Sequence, residues 1–118
     1  MSQALDDFGQ LVTAARDGAL DRLEWLFDGR ARAPALQQLS ANMRAMCDQD
    51  RDIVRLAVRE SVDDAIHGLL FALYSDDRVG LVFDGVDLRQ TSDGLHGDYV
   101  TEHGWQGREP AALRRLLQ

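Results

Sequence analysis

The stretch VGLVFDGVDLRQ (residues 79–90) decides the fold class. Two runs with strand-like alternation flank Asp84 and Gly85, residue types that accept the positive φ angles of a two-residue type I′ turn. Such a turn opposes Phe83 to Val86, Leu81 to Leu88 and Val79 to Gln90 on one face. Val82 then lies opposite Asp87, and Gly80 opposite Arg89, on the other. The apolar residues collect on the first face, so the hydrophobic pattern agrees with the register. An isolated two-stranded hairpin is marginal in water, so a third strand is expected, and DYVTE (98–102) supplies it.

Upstream of the hairpin the period is helical. Leu5, Phe8, Val12 and Ala15 recur at spacings of three and four, predicting a helix that Asp17 and Gly18 end; Leu20, Leu23, Leu26 and Phe27 predict a second, shorter one. DGRARAP (28–34) reads as a loop, with Pro34 in the first turn of a third helix whose buried face is Leu36, Leu39, Met43, Met46 and Cys47. From about residue 50 to Ser75, Ile53, Ala57, Val58, Val62, Ala65, Ile66, Leu69 and Leu73 keep helical register. We read this as one long helix, although Ser61 with Asp64 has the form of a capping box that would restart it as two. Its opposite side carries Arg51, Arg55 and Arg59 among Asp52, Glu60, Asp63 and Asp64, expected as a solvated face of exchanging ion pairs. Downstream, Pro110, Leu113, Leu116 and Leu117 predict a closing helix over 109–118.

The expectation is an α+β fold in a single domain, 1–118. A helical part (1–76) contributes one long helix packed on a three-stranded antiparallel sheet (79–105), and the C-terminal helix closes the core. The chain of 118 residues is long enough for a core without disulfides, and its lone Cys47 cannot form an internal one. Nothing at the N-terminus resembles a signal peptide, and AIHGLLFALY (65–74) is half the length a bilayer-spanning helix needs, so a cytosolic protein with no membrane partner is expected. The formal net charge is -7, and all thirteen basic residues are arginines. That sign argues against nucleic acid, which calls for a basic footprint, and favours a basic partner. No phosphate loop, dinucleotide fingerprint, HExxH, EF-hand series or GxSxG is present, and no cofactor is expected.

Two readings compete for TSDGLHGDYVTEHGW (91–105). Its glycines are turn chemistry. His96, Asp98 and His103, joined by His67 from the long helix, are residue types that hold a metal and activate water, which gives a small metal-assisted hydrolase; Asp63, one turn before His67, would orient its ring. The residues share no single strand face, which weakens that reading. The other reading is electrostatic. Seven acids between Asp76 and Gly104 face only Arg78 and Arg89, so the segment carries -5 of the net charge. Asp84, Asp87, Asp93, Asp98, Tyr99, Glu102 and Trp105 would form an acidic β rim with aromatic anchors, which steers a basic protein and then holds it. The apolar run around GLLFALY (68–74) additionally offers a patch for a homodimer. The run DGVDLRQTSDGLHGDYVTEHGW (84–105) resembles a segment of small bacterial proteins in which helices precede a DG hairpin and an SDGL turn ending in GW. Some proteins of that kind resemble toxin-neutralising immunity proteins. Immunity proteins work by occupying a basic active site; the resemblance brings no assigned activity and no site residue with it.

Overall fold

A computed structural model describes residues 3–92, 94, 95 and 99. The elements run α1 (Gln3–Phe27), α2 (Pro34–Arg44), α3 (Asp48–Ser75), β1 (Val82–Phe83), β2 (Val86–Asp87) and α4 (Leu88–Thr91). The molecule is α-rich. Among the described residues its sheet has two strands of two residues each, which overturns the three-stranded sheet and the α+β class built on it.

The hairpin itself forms in the expected register, Val82 opposite Asp87 and Phe83 opposite Val86. Asp84 and Gly85 take φ of 52° and 76°, as the type I′ turn demands. What stops the ladder is Asp87. Its side chain accepts a hydrogen bond from the Arg89 backbone N–H at 2.9 Å and so caps a helical turn, α4, where the second strand was to run on to Gln90. Pairing ends with the Leu88 N–H donating to the Leu81 carbonyl at 3.0 Å. Tyr99 is helical, so the expected third strand fails there as well. The rest of 98–102 and the expected C-terminal helix over 109–118 lie outside the described residues.

The helical part differs in one respect. Gly18 does not end a helix: α1 continues through it for 25 residues. A chain reversal needs more than a permissive residue, and here the apolar stripe on both sides of Gly18 packs on the same neighbour. α3 is likewise continuous through Ser61 for 28 residues, about 42 Å at 1.5 Å per residue. Asp48 and Asp50 favour its positive N-terminal end. α2 begins at Pro34, as read from the sequence, but buries less than expected. Met43 is buried and Leu36 and Met46 are half-buried, while Leu39 and Cys47 are exposed, Cys47 because it is the N-cap of α3.

α1 and α3 pack antiparallel: Arg16 meets Asp63, and Glu24 meets Arg55, pairs whose numbers have the same sum. Two apolar clusters form along this pair. At one end Ala4, Leu5, Leu70, Leu88, Leu95 and Tyr99 are buried, with Phe8, Val12, Ile66, Leu81, Phe83 and Val86 against them. Phe8 and Phe83 meet edge to face at 5.8 Å, which seats the hairpin on α1. At the other end Leu23, Phe27 and Met43 pack with Leu26, Val54 and Val58, joining α2 to both long helices. Each fully buried Leu or Phe contributes about 1.5–3 kcal/mol. The Ser40 hydroxyl donates to the Leu26 carbonyl at 2.5 Å and fixes α2 on α1.

Between the two clusters lies a layer of charge. Arg16, Arg59 and Asp63 are 1%, 2% and 4% exposed. Arg59 was expected on a solvated stripe with Arg51 and Arg55; it is buried, and Arg55 is half-buried, its guanidinium 4.6 Å from the Phe27 ring. The stripe fails because α1 packs along that side of α3: Arg59 joins Arg16 of α1 on Asp63, and Arg55 reaches across to Glu24 and Phe27 of α1.

Candidate functional site

Among the described residues the hairpin and its flanks carry four acids, Asp76, Asp77, Asp84 and Asp87, against Arg78 and Arg89. Asp76 follows α3, and its carboxylate accepts from the Arg78 backbone N–H at 2.9 Å and from the Arg78 guanidinium at 2.8 and 3.0 Å. Those side-chain hydrogen bonds from Arg78 hold the Asp76 carboxyl below the usual carboxylate range. Arg89 works from the other side. Its Nη1 donates to the Val79 carbonyl at 2.8 Å and the Asp76 carbonyl at 3.3 Å, and its Nη2 reaches Asp77 at 3.5 Å. Arg89 therefore ties α4 to the segment leaving α3. A shallow cleft of about 320 Å³ opens here, lined by Tyr74, Val79, Gly80, Asp87, Arg89 and Gln90.

Both arginines of this region are committed to Asp76 and Asp77. Asp84, at the tip of the turn, and Asp87, beside it, are exposed and have no ion pair among the described residues. Of the seven residues expected on the rim, these two are exposed here. Tyr99 leaves it: the ring is fully buried and its hydroxyl donates to Asp63 Oδ1, so it cannot anchor a partner at the surface. Asp93, Asp98, Glu102 and Trp105 lie outside the described residues.

The same limit applies to the metal reading. His96, Asp98 and His103 are outside the described residues, and His67 is half-buried on α3, one turn beyond Asp63. Among the described residues no group of three His, Cys, Asp or Glu side chains gathers to hold an ion. Among them, too, no helix is long and apolar enough to cross a membrane.

The arrangement that sequence reading missed is the buried layer. Asp63 Oδ1 accepts from Arg16 Nε at 2.5 Å and Oδ2 from Arg16 Nη2 at 3.3 Å, while Arg59 Nη1 reaches Oδ2 at 3.0 Å. Arg59 also pairs with the exposed Glu60, and Arg16 lies 3.7 Å from Asp17 at the surface. Burial and the bond to Asp63 push the Tyr99 phenol well above its ordinary value, so it serves as a proton donor. The signal was present in the helical spacing. Arg16 stands four residues after Val12 and four before Leu20, inside the apolar stripe of α1, and Asp63 stands three before Ile66 and seven before Leu70. A charge at a core position of one helix called for its opposite on another.

These carboxylates and guanidiniums bind one another. No protein-family model matches the chain, and no curated protein or solved structure shows a significant likeness to it.

Proposed function

We propose that the chain is a non-enzymatic interaction protein of the cytosol, of the immunity type, that presents its acidic hairpin to a basic protein. The observation that carries this reading is the state of Asp84 and Asp87. Both are exposed, Asp84 lies within a turn of defined geometry and Asp87 on the strand that leaves it, and neither is neutralised by an ion pair among the described residues. A rigid turn holds carboxylates in place at little entropic cost on binding, and the overall charge of -7 attracts a cation-rich surface over a Debye length of about 8 Å. Asp93, Asp98, Glu102 and Trp105 extend the proposed contact.

The test neutralises charge without disturbing backbone. Asn tolerates the positive φ of residue 84 and still caps a helix at 87, so Asp84→Asn with Asp87→Asn alters little else. Wild-type protein immobilised in lysate of its source cells should capture a stoichiometric basic protein. The double variant should weaken that capture roughly three- to tenfold, chiefly through slower association. Asp21→Asn, on the exposed side of α1, should leave it unchanged. Equal capture by the wild type and the double variant would sink the reading.

A further inference from the structure

We infer that the Arg16–Asp63–Arg59 layer is the register key of the α1/α3 pair: it selects one alignment of two long helices whose apolar contacts alone would accept several. The inference is independent of the proposed function. On either side of the layer the facing residues are aliphatic or aromatic: Leu5, Phe8, Val12 and Leu23 on α1, Val54, Val58, Ile66 and Leu70 on α3. Sliding α1 by one helical turn, about 5.4 Å, replaces one such pair by another of the same kind. Hydrophobic burial is non-directional and discriminates weakly between those alignments.

The charges discriminate. A one-turn slide sets Arg16 level with Arg59 in one direction and with His67 in the other, and takes it off the carboxylate in both. Asp63 then stands level with Val12 or Leu20 and keeps only Arg59 of its own helix, while Arg16 is left buried without the carboxylate that answers it across the pair. In the native alignment Asp63 accepts from two guanidiniums and from Tyr99 at once. The Tyr99 bond matters for a second reason. It fastens Tyr99 to the same level of the helix pair, so one carboxylate holds Arg16, Arg59 and Tyr99 together.

The experiment separates register from stability. Spin labels at Gln10→Cys and Gln49→Cys, with Cys47→Ser, lie on exposed positions near opposite ends of the pair, so a slide changes their separation almost fully. The native layer should give a single interlabel distance. With Arg16→Met, Arg59→Met and Asp63→Leu the chain should remain helical and cooperative, yet show a second population displaced by about 5 Å. One unshifted distance in the folded variant overturns the inference. If the triple variant does not fold, Arg16→Gln and Arg59→Gln with Asp63→Asn, which keep hydrogen bonding and remove the charge of all three, are measured instead under the same two outcomes. Failure of that variant to fold as well would make the layer a plain stability element, and the inference falls.

Discussion

Asp63 concentrates more of this fold in one side chain than any apolar residue does. A buried carboxylate is tolerated only when its charge and lone pairs are answered, and here two arginines and a phenol answer them. Removing it leaves two guanidiniums facing each other in the interior. Asp63→Ala should therefore lower unfolding stability by about 3–5 kcal/mol, read from the urea midpoint, well above the usual cost of truncating an exposed acid. Tyr99 yields a second prediction, with a definite sign. Its folded pKa is raised above the unfolded value of about 10, first by burial and then by Asp63, so its contribution is complete below pH 10 and is lost as the pH climbs past it. Stability of the wild type should fall more steeply between pH 9 and pH 11 than that of Tyr99→Phe, measured by denaturation across that range. Neither residue was assigned this role in the sequence reading. Tyr99 reads as a surface anchor from the acids interleaved with it in the chain, Asp98 and Glu102, and only the tertiary fold brings its ring inward to Asp63.

At the scale of elements, the dipeptide Asp-Gly shows where sequence reading succeeds. It occurs at 28–29 and 84–85 with positive φ at the glycine, ending α1 in the first case and making the hairpin turn in the second. At 17–18 the same two letters lie inside a continuous helix. What separates them is the surrounding pattern: apolar residues continue in helical register through Gly18 and break off after Gly29. The hairpin register was legible because side-chain alternation has a period of two and the turn fixes its phase. The length of the strands was not, since the Asp87 cap competes with the ladder locally. A helical glycine with open space is a correctable weakness. A Cβ at Gly18 or Gly68 meets nothing within 4 Å, so Gly18→Ala and Gly68→Ala should each raise stability by roughly 0.5–1 kcal/mol, seen as a higher melting temperature. Gly29→Ala should do the reverse. Its φ is 74° and the new methyl would come within 3.0 Å of the Arg44 guanidinium.

For the whole molecule, the question is how a net charge of -7 is distributed. Arginines on α1 and α3 are drawn inward or across the helix pair, Arg16 and Arg59 to Asp63 and Arg55 to Glu24 at 2.9 Å, so their charge is spent inside the fold. Acids of the hairpin have fewer such outlets. At the hairpin Asp76 and Asp77 are paired with Arg78 and Arg89, so the negative field proposed to steer a partner there rests, among the described residues, on Asp84 and Asp87. Screening distinguishes such a field from direct contact. Raising ionic strength from 0.01 M to 0.15 M shortens the Debye length from about 30 Å to about 8 Å, which weakens long-range attraction and leaves short hydrogen bonds nearly intact. For the basic partner proposed above, the association rate constant should fall by at least about tenfold over that salt range, while the dissociation rate constant changes far less. Stopped-flow mixing at four salt concentrations measures both. With Asp84→Asn and Asp87→Asn the slope of log association rate against ionic strength should flatten, because fewer charges remain to be screened. A slope identical to that of the wild type would place the encounter surface away from the hairpin, whatever the affinity of the complex.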